Sequence, residues 1–361
     1  SIGVSRGDIE KEAFIDALTK DVIMELRLKI AHALNADLAT DTDITEIVAP
    51  IISAWIREAN DPDVPLGRWL HGGAPAGIDA QPENVGIFPV STSPPTKEFE
   101  LAFWDGREFN YTSMDDSPFA EGVLEQLVAS KYIRKCRSIG EAKQWLNGKT
   151  PVISKGALIS KLKDGVMKHR LILDCRVSGT NSATHKWERI LLPRIWDVIR
   201  DSIQMKAEAR QGWSFRYFVC DIADAFYKVP LLPIEQPYFV LFFNMCYYIW
   251  QRLGQGSLNG PTLFGRLSAF LGRASQALIA GANARLQIYT DDPIMSICAP
   301  DEVIDRTVVL LVVFWRVLGL DMATHKAQLA DHVSWIGFDV AMKGETIEVT
   351  IKRSFLDELL L

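Results

Sequence analysis

The sequence predicts an α+β protein, from two kinds of periodic pattern. Apolar residues recur with the 3.6-residue period of amphipathic helices in two runs, residues 9–34 and 43–56. From residue 151 onward, short β-like runs bounded by turn residues alternate with longer helical runs. With 361 residues and 48% hydrophobic content, the chain can bury one large core or two to three modest ones.

Further helices are expected before the first strands. Residues 61–96 are rich in Pro and Gly, which predicts a long extended or wrapping connection. After it, a short helix should open at Ser117, with a proline in its first turn. Another should open at Ser138, because Glu141 completes a capping box and Gly148 stops the helix.

The predicted strands begin with a basic β-hairpin. Residues 151–161 and 170–177 are β-like and flank the turn Lys163-Asp164-Gly165. The remaining predicted elements follow in order: a helix at 194–210, a strand at 215–222, a strand at 238–250, a helix at 261–281, a hairpin around 289–292, a helix at 300–318 and a β-rich stretch at 333–351.

The net charge of −6 conceals a division along the chain. Residues 1–129 carry 9 Lys and Arg against 23 Asp and Glu, whereas residues 130–216 carry 19 against 7. The middle of the chain is therefore a basic segment within an acidic protein. Such a segment is either a solvated surface or a surface that contacts phosphates, and composition does not choose between them.

Several classes of protein are disfavoured by composition. No apolar run reaches membrane-spanning length, and the first residues lack the apolar core of a signal peptide. The five cysteines have no CxxC spacing and do not pair with the six histidines, so neither a disulfide framework nor a zinc site is suggested. We expect an intracellular protein, cytoplasmic or nuclear, that is neither secreted nor bound to a membrane.

The most informative stretch is Tyr289-Thr290-Asp291-Asp292, where alternating apolar residues on both sides predict a β-hairpin with the acids at its turn. Adjacent carboxylates repel each other unless a cation lies between them, so the pair is a candidate divalent-metal site; ordinary turn chemistry is the alternative. Asp221, at the end of an apolar strand, supplies a third acid if the two strands are neighbours.

Three segments together resemble the reverse transcriptases of retroviruses and LTR retrotransposons, which are parts of Pol polyproteins. They are Phe218-Val219-Cys220-Asp221-Ile222-Ala223-Asp224-Ala225-Phe226, then Leu253-Gly254-Gln255-Gly256-Ser257 through Pro261, then Tyr289-Thr290-Asp291-Asp292. The resemblance covers roughly residues 120–345. Gly254 stands where a proline is usual, and Thr290 is an uncommon choice in the variable place of its box.

The resemblance implies a right-hand polymerase with fingers and palm, in which helices back an antiparallel palm sheet. Val333-Ser334-Trp335-Ile336-Gly337-Phe338 resembles the family's primer grip. Few residues follow this segment, so the thumb is expected to be missing or rudimentary. The expected divisions are a helical N-terminal extension at 1–60, a Pro/Gly-rich connection at 61–116, fingers at 117–184, the first part of the palm at 185–232, the second part of the fingers at 233–259, and palm with primer grip at 260–351.

The resemblance also implies roles for individual residues in catalysis. Asp221, Asp291 and Asp292 are expected to bind two Mg²⁺ ions, with Mn²⁺ as a substitute, and the backbone of Ile222 is expected to be a further ligand. Lys326, which follows His325, is expected near the pyrophosphate as a possible proton donor.

The same family pattern implies two groups of binding residues. The first is expected to bind the incoming nucleotide: Lys163, Arg170, Asp224, Ala225, Phe226, Gln255 and Gly256. The second is expected to contact primer or template: Tyr289, Thr290, Trp335, Ile336 and Gly337.

Some of these assignments have alternatives. Lys161 competes with Lys163, Asp224 could be only a turn-capping acid, and Trp335 and Phe338 could be core aromatics. In the family, an aromatic at the place of Phe226 lies beneath the nucleotide sugar and excludes a 2′-hydroxyl; simple packing of that ring is the alternative.

The expected function is RNA-directed and DNA-directed DNA polymerase activity of a retroelement, a nucleotidyl transfer that needs a primed RNA or DNA template and dNTPs. Other segments of a Pol polyprotein, such as RNase H and integrase, are possible partners outside this chain, and a virus-like particle is a possible location. Two alternatives stay open. One is a catalytically silent or domesticated fold that binds nucleic acid or protein. The other, less favoured because of Phe226 and Gln255-Gly256, is an RNA-dependent RNA polymerase.

Overall fold

A computed structural model of the chain describes residues 20–42, 44–92, 100–103, 110–163, 165–323, 326–353 and 356–357. The helices are α1 (Lys20–Ala33), α2 (Ala49–Glu58), α3 (Val64–Gly72), α4 (Thr112–Asp115), α5 (Ala120–Ala129), α6 (Ile139–Trp145), α7 (Thr180–Ala183), α8 (Ile195–Ala207), α9 (Gly260–Leu278) and α10 (Asp301–Val317). Short 3₁₀ turns lie at Leu38–Thr40, Ala225–Lys228 and Pro233–Tyr238.

The strands are β1 (Ile133–Cys136), β2 (Lys155–Lys163), β3 (Val166–Asp174), β4 (Ser214–Val219), β5 (Val240–Phe243), β6 (Cys246–Trp250), β7 (Ala284–Tyr289), β8 (Asp292–Ala299), β9 (Gln328–Ala330), β10 (His332–Trp335), β11 (Phe338–Lys343) and β12 (Thr346–Ile351). The predicted combination of helices and strands is therefore confirmed.

Four antiparallel sheets organise these strands. The sheet that carries the acids has the order β7-β8-β4-β9, and the β2-β3 hairpin forms a separate two-stranded sheet. The other two have the orders β1-β6-β5 and β10-β11-β12. Helices α9 and α10 contribute buried residues to the same core as the acid-bearing sheet.

The N-terminal helices belong to that core as well. Ile47, Ile51, Leu66 and Leu70 are each 0% exposed and lie in the same apolar cluster as α9 and α10. The guanidinium of Arg27 donates hydrogen bonds to the carbonyls at the end of α10, where the last helical turn leaves acceptors without intrahelical partners. The described part of the N-terminal segment thus packs against the rest of the chain as part of one core.

Several predicted boundaries are wrong. The segment 61–96 is not extended throughout, because α3 begins with Pro65 in its first turn, where a proline is tolerated, and buries an apolar face. The helix expected from residue 43 begins at Ala49, and the part of the first run before residue 20 lies outside the described residues. The helix expected at Ser117 begins at Ala120.

Two strands also differ from the prediction. The apolar stretch 238–250 is a hairpin, because Asn244 and Met245 both adopt positive φ and form a tight turn between β5 and β6. The strand expected to end at Asp221 ends at Val219, so Asp221 lies just past the end of β4.

Within the described residues, no helix is both long and apolar enough to span a bilayer.

Candidate active site

The register of β4 against β8 places Asp221 beside the acidic turn. Val219 pairs with Ile294, and the pairing continues past the strand end through a hydrogen bond of 3.0 Å from the Ile222 amide to the Asp291 carbonyl. The backbone of Asp221 is therefore held one strand away from Asp291 and Asp292. The sequence left open whether the two acidic segments are neighbours, and in the structure they are.

The acidic turn itself is tight. Thr290 has a φ of +57°, and Tyr289 pairs with Asp292 across the hairpin, so Asp291 lies at the turn and Asp292 begins β8. Burial raises the pKa of the Asp291 carboxyl, and the positive charge of Arg170 acts in the opposite direction. The β3 strand that carries Arg170 thus lies close enough to the acids to influence their charge.

Lys326 reaches the acids from the other side. Its ammonium forms an ion pair with the carboxylate of Asp221. The chain before it is held on the same strand end, because the Ala323 amide donates to the Asp221 carbonyl over 2.8 Å and the Ala223 amide donates to the Asp321 carbonyl over 2.8 Å. His325 lies outside the described residues.

The donor chemistry of this site fits a hard divalent cation. Three carboxylates on two adjacent segments are the oxygen ligands that Mg²⁺ prefers, and the ammonium of Lys326 shows that Asp221 accepts a cation there. Among the described residues, no three Asp, Glu, His or Cys side chains are already grouped as a metal cluster. The residues that could hold the ion are Asp221 and Asp291, with Asp292 next to them.

The Gln255-Gly256 loop is fastened to β3. The Leu173 amide donates to the Gln255 carbonyl over 3.1 Å, and the Asn181 side chain donates to the Gly256 carbonyl over 2.9 Å. Gly256 has a φ of +112°, and a Cβ there would overlap the carbonyl oxygen of Leu173. Glycine is therefore required at this position, and Gln255 is held next to the strand of Arg170.

The β2-β3 hairpin presents its cations on one face. Ile159 pairs with Arg170, and Lys161 pairs with Lys168. Because side chains alternate along a strand, Lys161 and Lys168 share the face of Arg170. Lys161 and Lys163 both remain candidates for the companion lysine, since Lys163 ends β2 and its side chain lies outside those that the structure describes.

Phe226 lies on the 3₁₀ turn that follows Asp221. Its ring stacks on Phe264 of α9 at 5.5 Å between centroids. Asp224, just before the turn, adopts a left-handed conformation with a φ of +52°, and the Tyr132 hydroxyl donates to its carboxylate over 3.3 Å. Tyr132 also stacks on Tyr227 at 4.4 Å, so the turn is supported on both sides.

The hairpin that resembles a primer grip packs against the acidic turn. The Trp335 indole donates a hydrogen bond of 2.9 Å to the Asp292 carbonyl, and its ring makes an edge contact with Tyr289. Trp335 is only 2% exposed, so its side chain is a core aromatic, whereas Ile336 and Gly337 form the tight turn with positive φ. A contact of this hairpin with nucleic acid would therefore come from the turn.

Some side chains that support the site were not predicted. Tyr132 and Asn181 carry no motif of their own and are separated from their partners by 92 and 75 positions. No local pattern in the sequence points to them. The sequence predicts the hairpin that carries Trp335, but it does not predict the hydrogen bond from Trp335 to Asp292.

The chain is similar to retroviral proteins of known sequence or structure. The Gag-Pro-Pol polyprotein of squirrel monkey retrovirus is 27% identical over 136 residues, which cover 35% of this chain and 7% of that polyprotein. A structure of the foamy viral protease-reverse transcriptase with double-stranded DNA is 19% identical and covers 74% of this chain and 41% of that chain, with a TM-score of 0.48. The same viral enzyme with an RNA/DNA hybrid is 17% identical over 79% of this chain and 32% of that chain, with a TM-score of 0.47.

The chain thus spans less than half the length of these relatives. The family described as reverse transcriptase (RNA-dependent DNA polymerase) matches residues 160–340, half of the chain. That range contains Arg170, Asp221, Gln255 and the acidic turn at Asp291. This chain belongs to the reverse transcriptase family.

Proposed function

We propose that the chain is a catalytically competent RNA-directed and DNA-directed DNA polymerase. The observation that carries the proposal is the backbone pairing between Ile222 and Asp291, because it brings the acids of two separated motifs to one strand end. Arg170 acts electrostatically on the same turn from the neighbouring hairpin. In this proposal the acids would bind the metal and Arg170 would bind phosphate.

Mg²⁺, when bound, would lower the pKa of a primer 3′-hydroxyl and neutralise charge on the triphosphate. We assign its ligands to Asp221 and Asp291, with Asp292 and the Ile222 backbone in support. Lys326, whose ammonium pairs with Asp221, would lie next to the leaving phosphates, where it would stabilise their negative charge and could supply a proton.

The nucleotide would be bound by the β2-β3 hairpin and the Gln255 loop. Arg170, with Lys161 or Lys163 beside it, would bind the triphosphate, since cations on one strand face can share several phosphate oxygens. Gln255 would lie against the nascent base pair. The hydrogen bond between its backbone and Leu173 would hold it in place there. These contacts position the substrate, which supplies much of the rate in phosphoryl transfer.

Phe226 would select the sugar. The ring is held in place by Phe264 and by the turn that follows Asp224. It would therefore exclude a hydroxyl at the 2′ position of the sugar. The Phe226→Val variant is expected to incorporate rNTPs more readily than the wild type while it retains dNTP incorporation. Unchanged discrimination against rNTPs would reject this role.

In this proposal the β2-β3 hairpin and the β1-β6-β5 sheet form the fingers, and the β7-β8-β4-β9 sheet forms the palm. A primed RNA or DNA template would contact the basic segment 130–216, so affinity should weaken steeply with salt. Association with other segments of a Pol polyprotein is part of the same proposal.

One observation favours the alternative of a silent nucleic-acid-binding fold: Lys326 already neutralises Asp221. Primer extension on poly(rA)/oligo(dT) with Mg²⁺ separates the two. The polymerase proposal expects extension by the wild type and its loss in Asp291→Ala, with Asp301→Ala as a matched control acid in α10 that keeps wild-type extension. Binding of template–primer without any extension would support the silent fold.

A further inference from the structure

The N-terminal segment reaches the turn that carries Phe226. The Thr45 hydroxyl donates a buried hydrogen bond of 2.6 Å to the carbonyl of Lys228, the last residue of that 3₁₀ turn. The same hydroxyl accepts a hydrogen bond of 3.3 Å from the Ile47 amide, which fixes its orientation. Thr45 is 7% exposed, so water cannot readily replace this contact.

Glu46 contacts the same turn through a charge. Its carboxylate lies 3.8 Å from the ammonium of Lys228, whose side chain is 4% exposed. A buried ammonium is costly without a partner, and Glu46 is a carboxylate that the structure places beside it. Backbone and side chain of Lys228 are thus both held by two consecutive residues of the N-terminal segment.

The same segment also holds the chain that leads to Lys326. The Val48 amide donates to the Leu318 carbonyl over 3.0 Å. A Cβ on Gly319, which has a φ of +91°, would overlap the carbonyl oxygen of Glu46, so the two backbones are in direct contact. From there, Asp321 and Ala323 are hydrogen-bonded to the strand end at Asp221.

We infer that Thr45 and Glu46 are positioning residues for nucleotide selection, acting through the turn that carries Phe226. This inference rests on the proposed function of that turn. Phe264 supports the Phe226 ring from α9, while Thr45 and Glu46 support the backbone two residues further along. Loss of the second support lets the ring move away from the sugar, so a ribonucleotide meets less resistance and a deoxynucleotide is bound less firmly.

The test compares Thr45→Val, which removes the hydroxyl at nearly constant volume, with Thr45→Ser, which retains it. Thr42→Val is the control for the substitution itself, because the Thr42 hydroxyl donates an exposed hydrogen bond to the His71 carbonyl, in the same segment and away from the turn. For Thr45→Val we expect a raised KM for dTTP with little change in kcat. Discrimination between dTTP and UTP should fall about fivefold, the effect of roughly one buried hydrogen bond. Thr45→Ser and Thr42→Val should retain wild-type values.

Hydrogen exchange of the peptide that contains residues 226–229 gives a readout that needs no activity. We expect faster exchange there in Thr45→Val and in Glu46→Gln, but not in Thr42→Val. The inference would be overturned if Thr45→Val and Glu46→Gln fold and show wild-type exchange and wild-type discrimination between dTTP and UTP. If Thr45→Val does not fold, the result for Glu46→Gln alone decides. If the variants show this exchange pattern but the wild type extends no primer, the proposed function is contradicted, whereas the support of the turn by Thr45 and Glu46 is established.

Discussion

Replacement of Arg266 by methionine should destabilise the chain far more than loss of a surface charge. Arg266 lies on α9 and is 0% exposed, as is Asp63, which accepts hydrogen bonds from its Nε, over 2.6 Å, and from its Nη2. Its Nη1 donates to the Glu83 carbonyl over 2.8 Å and lies 3.5 Å from Glu188. One buried guanidinium therefore serves two buried carboxylates.

The expected cost is about 3–5 kcal/mol of unfolding free energy, the range for removal of one partner from a buried ion pair. Two carboxylates lose their cation in Arg266→Met, so a value in the upper half of this range is expected. A typical folded protein is stable by only about 5–15 kcal/mol, so the variant should be close to unfolding. Burial raises the pKa of Glu188, and its protonation on acidification should recover part of the loss.

Equilibrium unfolding in urea, followed by tryptophan fluorescence, measures this cost. Arg68→Met is the matched control, because the ion pair of Arg68 with Glu83 has side chains 64% and 61% exposed and is worth about 0–1 kcal/mol. The double variant Asp63→Asn/Arg266→Met should be more stable than Arg266→Met, since one unpaired charge has been removed. Equal losses in Arg266→Met and Arg68→Met would refute the conclusion that residues 61–83 form one core with α9.

Three further predictions concern the site. Because burial raises the pKa of Asp291, its protonated form favours the folded state; this contribution is complete below the unfolded pKa and is lost as pH rises through the folded pKa. Asp291→Asn should therefore raise the melting temperature at pH 8 in EDTA, and added Mg²⁺ should stabilise the wild type but not the variant; an unchanged melting temperature in EDTA contradicts the reasoning. Gly256→Ala, which places a Cβ against the Leu173 carbonyl, should raise the KM for dNTPs at least tenfold, about 1.4 kcal/mol, and a wild-type KM would show that the loop is not fastened there. Trp335→Phe loses the indole donor to the Asp292 carbonyl and should cost about 1–3 kcal/mol of unfolding free energy, measured in urea; a loss no larger than that of Arg68→Met would show that this hydrogen bond does not matter.

Local structure around the site was predictable because each element has a strong local signal. The hairpin at Asp291 follows from alternating apolar residues, and α6 begins after the predicted cap Ser138, whose hydroxyl accepts from the Glu141 amide over 3.1 Å. Asp221 could be placed near the hairpin only through the motif order, because pairing of β4 with β8 joins residues far apart in the chain.

The contribution of the N-terminal segment could not be predicted. The contact between Thr45 and Lys228 spans 183 positions, and the pair of Asp63 with Arg266 spans 203. Pro65 and its neighbours suggested an extended connection, yet burial of Leu66, Trp69 and Leu70 decides in favour of a helix. Tertiary packing outweighs local propensity here, and a single sequence carries no direct record of it.

We expect this chain to transfer deoxynucleotides to a primer with its own acids. Extension of oligo(dT) on poly(rA), with dTTP or UTP and with Mg²⁺ or EDTA, tests it most directly. We predict extension with dTTP and Mg²⁺ and none with EDTA, at a rate for UTP far below that for dTTP. Tight template binding without extension, or equal use of UTP and dTTP, would contradict the account.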